Sequence, residues 1–553
     1  MNEMTRIELD VRGMTCDSCA VHVVQALESI KGVKDADVPG WQSARATVVA
    51  ESSVKAEVIT AAVRKAGYTA TIKTRKPLGG LASKEGKGND YDLVVIGSGA
   101  AGFAGAIRAA ELGYRVIMVE QGTIGGTCVN VGCVPSKTLI RTAEAHHRAT
   151  HSPFAGVRPR GADLDWEAVM AEKDALLESL RQSKYVDVLK AYPDITFVQG
   201  KARLTPEANV EVDGRLFRPA RVLITTGASP HVLPIPGIEK VKVLTSTEAL
   251  ALRERPESLL VIGGRSVALE LAQIYARFGT RVTLLQRSPR IIPEHEPEIA
   301  EALAGYLREE GVTIHTGVVV QAIRQEDNEK VVTATVDGEE GVFRAVQVLM
   351  ATGRRPNTAD WGLEQIGLEL DGRGAIVVDG QMRTSHPDIY ASGDCTTNPM
   401  FVYVAAAGGA IAADNALNGA GRTLDLSAMP AVIFTDPQVA MVGLTEAQAK
   451  AQGYDVQTST LPLEYVPRAL AARDTRGLIK LVADGATGRL LGAHILAAEG
   501  GEVVQAAVLA VKFGLTLDDL TGTLFPYLTQ VEGLKLAAQT FSKDVTKLSC
   551  CAG

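Results

Sequence analysis

The sequence lacks the features that would place it in a membrane, outside the cell or on nucleic acid. No apolar stretch reaches the ~18 residues that a membrane-spanning helix requires. The first ten residues are polar and lack the apolar segment of a secretory signal peptide. There is no run of lysines and arginines, and the 553 residues carry a net charge of -7, which argues against binding to nucleic acid. We therefore expect a cytoplasmic protein without a membrane span.

Cysteine is also scarce, but its distribution is informative. In the cytoplasm, thiols stay reduced unless they are catalytic or bind a metal. Of the seven cysteines, one stands alone at Cys395 and six form three close pairs: Cys16/Cys19, Cys128/Cys133 and Cys550/Cys551. Pairs this close in sequence indicate thiol chemistry rather than a framework of structural cross-links.

The N-terminal residues 1–73 form a unit of their own. Their apolar spacing predicts strands and helices in the order βαββαβ, a ferredoxin-like arrangement. The loop after the first strand reads Gly-Met-Thr-Cys-Asp-Ser-Cys, so that Cys16 and Cys19 can bind one ion. Thiolates select soft ions such as Cu(I), Zn(II) or Hg(II), and two thiolates favour linear coordination. The order and the loop resemble heavy-metal-associated domains; a thioredoxin-like redox pair is the alternative.

Residues 74–90 have no periodicity and contain one proline, four glycines and several lysines. This composition predicts a flexible tether. A tether would raise the local concentration of any metal on the first domain near the rest of the chain. An inert connector is the alternative.

A nucleotide fingerprint follows the tether. A predicted buried strand over residues 91–96 leads into Gly97, Gly99 and Gly102 and then into a helix. Glu120 ends the next strand, 23 residues after the first glycine. In this context the glycines let the backbone approach a pyrophosphate, and the acid binds ribose hydroxyls. The redox segment that comes next indicates that the nucleotide is FAD.

That redox segment is the Gly-rich turn of residues 125–137, which contains Cys128 and Cys133 and runs into an apolar helix. The positive end of a helix stabilises a thiolate and so lowers its pKa. The pattern therefore predicts a reactive pair that forms an easily reduced disulfide. A structural pair, or two small buried residues, is the alternative.

A second, degenerate fingerprint begins at Gly263, where Arg265 and Ala268 replace the second and third glycines. It lies between a predicted strand and helix, and Gln286 follows Gly263 by 23 residues, the spacing of the first fingerprint. Two arginines follow it, Arg287 and Arg290. Their side chains suit a 2′-phosphate, which indicates NADPH rather than NADH. A solvated arginine pair is the alternative.

Residues 91–553 resemble the pyridine nucleotide–disulfide oxidoreductases, and the whole chain is similar to the mercuric reductase branch of that family. The fold class implied is α/β, with two Rossmann-like nucleotide-binding domains, an α+β dimerisation domain and the N-terminal metal domain. The resemblance implies a homodimer with active sites shared between subunits. The implied domains are an FAD-binding domain in two parts (91–235 and 356–426), an inserted NADPH-binding domain (236–355) and a C-terminal dimerisation domain (427–553).

The resemblance also implies roles for individual residues. Cys133 would lie against the flavin as the charge-transfer thiol, and Cys128 would be the interchange thiol. Lys137 and Glu270 would form the ion pair beside the flavin N5, and Asp394 would bind the ribityl chain. The full set of cofactor-binding residues is Gly97, Gly99, Ala100, Ala101, Gly102, Glu120, Gly126, Thr127, Lys137, Thr226, Gly227 and Asp394 for FAD, and Gly263, Ser266, Ala268, Gln286, Arg287 and Arg290 for NADPH. We expect Cys395 to be a small buried residue.

The C-terminal domain departs from the disulfide reductases of the family, which carry a histidine that protonates a leaving thiolate. Phe525 stands at that position here. Without an acid, cleavage of a disulfide substrate should be slow, whereas reduction of a metal ion needs no such proton. The resemblance implies that Tyr527 contacts the metal; a core tyrosine is the alternative.

The chain ends in Cys550-Cys551-Ala552-Gly553. A lipidation signal is disfavoured by the terminal glycine, and a vicinal disulfide would be strained. Two thiols at the end of a chain can bind a soft ion and pass it on. The resemblance places this tail over Cys128 and Cys133 of the partner subunit.

Together these features predict an NADPH-dependent, FAD-containing enzyme that reduces Hg(II) to elemental mercury. The metal would pass along the thiol pairs Cys16/Cys19, Cys550/Cys551 and Cys128/Cys133 by thiolate exchange. Two alternatives remain: a disulfide reductase acting on glutathione or lipoamide with an accessory metal domain, and a non-enzymatic carrier of soft metals.

Overall fold

The computed structural model of the protein describes residues 4–38, 40–78 and 90–547. Most of the predicted tether and the Cys550–Cys551 tail lie outside these residues. No helix in the described part of the chain is both long and apolar enough to cross a membrane.

The N-terminal domain has the predicted βαββαβ order. Its antiparallel sheet has the strand order β2-β3-β1-β4, and apolar residues of both helices and of the sheet form its core. The elements are β1 (Met4–Arg12), α1 (Asp17–Glu28), β2 (Val33–Asp37), β3 (Arg45–Glu51), α2 (Ala56–Lys65) and β4 (Thr69–Leu78).

The boundary predicted at residue 74 needs a correction. Strand β4 continues to Leu78, because its backbone pairs with that of β1 as far as Met4 and Leu78. Residues 74–78 therefore belong to the sheet of the metal domain and not to the tether.

The next domain is built on a five-stranded parallel sheet with the order β21-β11-β5-β6-β7. Strands β5 and β6 are largely buried, as expected for a parallel sheet with both faces covered, whereas the edge strand β7 is partly exposed. Its first elements are β5 (Tyr91–Ile96), α3 (Ala100–Glu111), β6 (Val116–Glu120), α4 (Gly126–Val131), α5 (Cys133–Thr150), α6 (Trp166–Arg181), α7 (Asp187–Ala191), β7 (Ile195–Gln199), β8 (Ala202–Leu204), β9 (Val210–Val212), β10 (Arg215–Phe217), β11 (Pro219–Ile224) and β12 (Ala228–Pro230).

The chain then leaves this sheet and forms a second Rossmann-like unit. A four-stranded parallel sheet, β15-β14-β13-β19, is joined to an antiparallel sheet, β16-β17-β18. The elements are α8 (Ser246–Ala249), β13 (Ser258–Ile262), α9 (Ser266–Arg277), β14 (Arg281–Leu285), α10 (Pro297–Glu309), β15 (Thr313–His315), β16 (Val319–Glu326), β17 (Glu329–Val336), β18 (Glu339–Ala345) and β19 (Gln347–Met350).

The chain returns to the first sheet through β20 (Arg354–Pro356), which pairs with β12, and β21 (Ile389–Ala391), which lies beside β11. Helix α11 (Val402–Asn418) then packs along α3. The second unit is therefore inserted between two neighbouring strands of the first.

The C-terminal domain has a five-stranded antiparallel sheet with the order β22-β23-β26-β25-β24. Its elements are β22 (Ala431–Ile433), β23 (Gln438–Gly443), α12 (Glu446–Ala451), β24 (Val456–Pro462), α13 (Pro467–Ala472), β25 (Leu478–Asp484), β26 (Leu490–Ala497), α14 (Gly500–Phe513), α15 (Leu517–Gly522) and α16 (Glu532–Gln539). The predicted fold class, α/β with two Rossmann-like units, an α+β C-terminal domain and a ferredoxin-like metal domain, is confirmed.

Candidate active site

Cys128 and Cys133 lie on two consecutive helices that meet at a sharp bend. Cys128 is within α4, and Cys133 is the first residue of the 18-residue helix α5. Gly132 separates the helices with φ −131° and ψ −109°, and a Cβ atom there would lie 2.9 Å from the carbonyl oxygen of Thr127. The bend places Cys133 at the positive end of α5, as the sequence predicted.

The two thiols differ in their affinity for a proton. A hydrogen bond from Cys128 lowers the pKa of Cys133 to about 7; burial opposes this change, and the Lys137 ammonium adds to it. The same contact with Cys133, together with burial, raises the pKa of Cys128. Cys133 is therefore the thiol of the pair that ionises near neutral pH, and Cys128 keeps its proton and donates to it. A thiolate is the form of cysteine that attacks disulfides and binds metals.

The first dinucleotide turn is too crowded for side chains. Gly97 has φ 111°, and a Cβ atom there would lie 2.4 Å from the carbonyl oxygen of Thr225. A Cβ atom on Gly126 would lie 2.6 Å from the Cα atom of Gly99, so that the turn and the redox segment touch. The backbone N–H groups at the start of α3, at Ala100, Ala101 and Gly102, are left for an anion such as a pyrophosphate.

Glu120 ends β6 and is fixed at the edge of this turn. Its carboxylate accepts hydrogen bonds from the backbone N–H of Ser98 at 2.9 Å, from the Ser98 hydroxyl at 2.6 Å and from the backbone N–H of Gly122 at 2.7 Å. The Ser98 hydroxyl in turn accepts from the N–H of Gly125 at 3.2 Å. The predicted ribose-binding acid is thus tied to the segment that carries the cysteines.

Asp394 and Arg354 show that the site fits FAD. Burial raises the pKa of Asp394, whose nearest cation is Arg354 with its Nε atom 3.9 Å away. That Nε atom is itself buried and has no hydrogen-bond partner among the described residues. A part-buried carboxylate and a buried guanidinium nitrogen, both incompletely paired, call for polar partners, and the hydroxyls and phosphates of FAD are groups of that kind. Arg354, which no sequence pattern indicated, also contacts Thr127 at 3.5 Å.

Lys137 joins three parts of the chain. Its ammonium donates to the Glu270 carboxylate at 2.6 Å and lies 4.5 Å from the centre of the Phe434 ring. The second Glu270 oxygen accepts from the backbone N–H of Phe434 at 2.9 Å. The structure therefore brings together the two residues of the predicted ion pair and adds the C-terminal domain as their support.

A tyrosine that the sequence analysis missed, Tyr185, lies beside the cysteine pair. Burial, followed by the charges of both cysteines, raises its pKa. Its ring packs edge-on against Phe103, with 4.8 Å between ring centres. Tyr185 belongs to a π-helical turn, Gln182–Val186, a distortion that is frequent at functional sites.

The second dinucleotide turn has the same backbone geometry as the first. Gly263 has φ 126°, and a Cβ atom there would lie 2.3 Å from the carbonyl oxygen of Ala351. Arg265 is extended, with φ −105° and ψ −174°, and its side chain pairs with Glu294 at 3.6 Å. An extended backbone accepts any residue, which explains how the fingerprint tolerates an arginine where glycine is usual. Helix α9 begins immediately afterwards, with the predicted Ser266 and Ala268 in its first turn.

The loop after β14 holds the remaining coenzyme candidates. Gln286 is buried, and its amide donates to the Arg290 carbonyl at 3.3 Å and accepts from the Arg287 N–H at 3.2 Å. The Arg287 side chain is exposed, whereas the Nε atom of Arg290 is buried without a hydrogen-bond partner in the described chain. Two arginines with free hydrogen-bonding capacity fit the 2′-phosphate of NADPH.

Thr226 and Gly227 lie between β11 and β12, where the chain leaves the five-stranded parallel sheet. The Thr226 hydroxyl donates to the Asn357 carbonyl at 2.8 Å, and the Asn357 N–H donates to Gly227 at 2.9 Å. Cys395 is completely buried nearby, and burial raises the pKa of its thiol to about 11. It is the small buried residue that we expected.

In the N-terminal domain, Cys16 and Cys19 are brought together at the start of α1. Their sulfur atoms are 3.1 Å apart. The backbone N–H of Thr15, then Cys16 and then Tyr68 lower the pKa of Cys19 to about 6. Tyr68 follows α2 in the chain, and the sequence analysis did not associate it with this loop.

Three family models match the chain: pyridine nucleotide-disulphide oxidoreductase over residues 91–409, the dimerisation domain of that family over residues 429–538, and heavy-metal-associated domain over residues 8–69. A mercuric reductase of Lysinibacillus sphaericus is 45% identical over 551 residues, covering 100% of both chains. One from Shigella flexneri is 47% identical over 570 residues, covering 99% of this chain and 100% of the relative. One from Streptomyces lividans is 50% identical over 470 residues, covering 84% of this chain and 98% of the relative.

The chain belongs to the mercuric reductases. Among solved structures it is similar to an HOCl-induced flavoprotein disulfide reductase from Escherichia coli, with a TM-score of 0.74, 32% identity, and coverage of 82% of this chain and 100% of that one. The matched dimerisation domain indicates that the chain forms a homodimer.

Two of the predicted site residues belong to the C-terminal domain. Phe525 packs against the core of the C-terminal domain, and Tyr527 is about half exposed, between α15 and α16. Gln530, from the same segment, lines a groove of about 1280 Å³ that also contains Lys137 and Phe434. Cys550 and Cys551 lie outside the described residues.

Proposed function

We propose that the protein is an NADPH-dependent flavoenzyme that reduces Hg(II) to elemental mercury, in the cytoplasm, as a means of mercury detoxification. The observation that carries this proposal is a low-pKa thiolate paired with a thiol donor, on a chain that aligns end to end with mercuric reductases. In its bound state FAD would carry two electrons from NADPH to the thiol site.

The cysteine pair is suited to hold Hg(II) while it is reduced. Hg(II) arrives bound to two thiolates, and each exchange forms one Hg–S bond and breaks another. Two electrons then convert the ion bound by Cys128 and Cys133 into neutral mercury, which leaves, and both sulfurs remain as thiolates. One NADPH becomes NADP⁺ for each mercury atom released.

Lys137 maintains the charge balance at this pair. Its ammonium favours the thiolate form of Cys133, and Glu270, 2.6 Å away, fixes the position of that ammonium.

FAD binding is assigned to the residues predicted for it, with Arg354 added to the set. They include Gly97, Gly99, Gly126 and Asp394. Gly263, Gln286, Arg287 and Arg290 are assigned to NADPH.

Phe525 favours a metal ion over a disulfide as substrate. An apolar ring packed against a domain core cannot protonate a leaving thiolate. A disulfide reductase remains the second candidate, because the E. coli protein of similar structure is a flavoprotein disulfide reductase.

The proposal includes a route for the metal. Cys16 and Cys19 bind Hg(II) first, Cys550 and Cys551 receive it, and these pass it to Cys128 and Cys133 of the partner subunit, with Tyr527 and Tyr185 beside the ion. The low pKa of Cys19 supports the first step, because a thiolate at neutral pH needs no deprotonation before it binds the metal.

The domain divisions proposed from the sequence are kept, with the metal domain extended to residue 78.

The test is NADPH oxidation in excess thiol, with Hg(II), glutathione disulfide or oxidised lipoamide as acceptor. Of these three acceptors, we expect only Hg(II) to support NADPH oxidation. The Cys550→Ala/Cys551→Ala double variant should turn over Hg(II) more slowly, whereas Cys395→Ala, which removes a buried cysteine, serves as the matched control and should not. Faster turnover with either disulfide would make the protein a disulfide reductase with an accessory metal domain.

A further inference from the structure

Helix α9 connects the NADPH site to the C-terminal domain through an unusual polar stripe. It begins at the second dinucleotide turn, and three of its polar side chains, Glu270, Gln273 and Arg277, are more than 90% buried. Their spacing of three and four residues places them on one face of the helix. Buried polar side chains of this kind are costly unless each has a partner.

The partners are found in the segment that follows β22. Glu270 accepts from the backbone N–H of Phe434 at 2.9 Å. Gln273 accepts from the backbone N–H of Asp436 at 2.8 Å and donates to the Asp436 carbonyl at 2.9 Å. Arg277 donates to the Asp436 carboxylate at 2.8 Å. All three side chains thus bind Phe434 or Asp436, two residues of one short segment of the C-terminal domain.

A buried ion network anchors the far end of this contact. Glu310, at the end of α10, accepts from Arg277 at 2.6 Å and from Gln273 at 3.1 Å. Arg476, just before β25, donates to Asp436 at 3.1 Å and to Asp474 at 2.8 Å. Each charge in the network has an opposite charge within hydrogen-bond distance, which offsets the cost of burial.

Gln273 differs from Glu270 and Arg277 because its amide binds both backbone groups of one residue, in addition to the Glu310 carboxylate. Its amide pairs with both the N–H and the C=O of Asp436, as a neighbouring β-strand would. Such a two-point contact fixes the translation of α9 along the segment, since a shift of one residue breaks both bonds. Glu270 lies one helical turn away, so the same contact determines where its carboxylate meets Lys137.

We propose that Gln273 is a positioning residue for the reduction of flavin by NADPH. By fixing α9 against residues 434–436, it holds the Glu270–Lys137 pair and the NADPH turn in register. The inference rests on the proposed function only for this first half-reaction, the transfer of a hydride from NADPH to FAD. A displacement of about 1 Å at such a site can slow a reaction about a hundredfold.

A second contact between the same two domains provides a matched control. Lys480, on β25, is 2% exposed and donates to Glu296 at 2.9 Å, Glu298 at 3.0 Å and Glu446 at 2.8 Å. This cluster joins the start of α10 to the C-terminal sheet without touching α9, Lys137 or residues 434–436. Removal of Lys480 should weaken the contact between the two domains and leave the Glu270–Lys137 geometry intact.

The experiment compares Gln273→Met, Gln273→Glu and Lys480→Met with the parent holoenzyme, without mercury. Rapid mixing with saturating NADPH measures the rate of flavin reduction, and titration with NADP⁺ measures coenzyme binding. Amide hydrogen exchange at Phe434 and Asp436, in protein with and without FAD, reports the contact directly. Thermal melting of each variant gives its stability.

We expect Gln273→Met to slow flavin reduction about tenfold to a hundredfold, with unchanged NADP⁺ affinity and faster exchange at Phe434 and Asp436. Gln273→Glu keeps an oxygen that can accept from the Asp436 N–H but sets a second carboxylate oxygen against Glu310 and the Asp436 carbonyl, so it should slow flavin reduction as well. Lys480→Met should lower the melting temperature at least as much and leave flavin reduction within about twofold of the parent. Equal slowing by Lys480→Met, or an unchanged rate in Gln273→Met, would overturn the inference. Because mercury is absent, neither result depends on the substrate proposed above.

Discussion

Replacement of Cys128 tests the origin of the low pKa of Cys133. The hydrogen bond from Cys128 is the largest contribution to that pKa, ahead of burial, which opposes it, and of the Lys137 charge. In Cys128→Ala the donor is lost, so the pKa of Cys133 should rise from about 7 towards its ordinary value of 9.0. In Cys128→Ser a hydroxyl still donates, and the pKa should stay within about one unit of the parent value.

The size of the effect follows from the titration curve. A thiol of pKa about 7 is roughly half ionised at pH 7, whereas one of pKa about 9 is roughly 1% ionised. The thiolate population is present above the pKa and is lost as the pH falls through it. At pH 7 the Ala variant should therefore react with iodoacetamide more than about tenfold more slowly at Cys133 than the Ser variant.

The assay is the pH dependence of Cys133 alkylation in reduced protein, followed by mass spectrometry of the peptide that contains it. Cys395, whose pKa is raised by complete burial, is an internal standard that should stay unmodified. If both variants titrate together near pH 7, Cys128 is not the cause of the low pKa, and Lys137 with the helix terminus must be.

Three further outcomes are expected. Gly97→Ala should yield protein without flavin absorbance, because the new Cβ atom would lie 2.4 Å from the Thr225 carbonyl oxygen; a yellow, active variant would contradict this. Tyr68→Phe should raise the pKa of Cys19 from about 6, which alkylation of Cys19 against pH would detect as a shift of the curve to higher pH. Cys395→Ala should change the activity with Hg(II) less than about twofold, since alanine removes only a buried thiol that takes no part in the proposed reaction, and a larger loss measured by NADPH oxidation would assign it a role.

Local features of the sequence predicted the fold and the positions of two dinucleotide turns. The turns at Gly97 and Gly263 could be located because strand, glycine and helix follow one another within a few residues. The position of Cys133 at a helix N-terminus was predicted for the same reason. The end of β4 was predicted too early, because residues 74–78 are extended only by pairing with β1, and that partner is distant in sequence.

Residues that reach the site from distant elements could not be predicted from spacing. Arg354 lies beside Asp394 and Tyr185 lies beside the cysteine pair, but no spacing in the sequence indicates either contact. The contact between Lys137 and Glu270 spans 133 positions and was expected only from the family resemblance. The docking of Gln273 on Asp436 depends on tertiary packing between two domains, and no local pattern indicates it.

We infer that this protein delivers two electrons from NADPH to Hg(II) held by Cys128 and Cys133. The amount of volatile mercury released per NADPH oxidised by the purified holoenzyme in excess thiol measures this delivery directly. We expect one mercury atom for each NADPH, and no release from Cys128→Ala or Cys133→Ala protein that still contains FAD. NADPH oxidation without mercury release, or undiminished release from either variant, would contradict it.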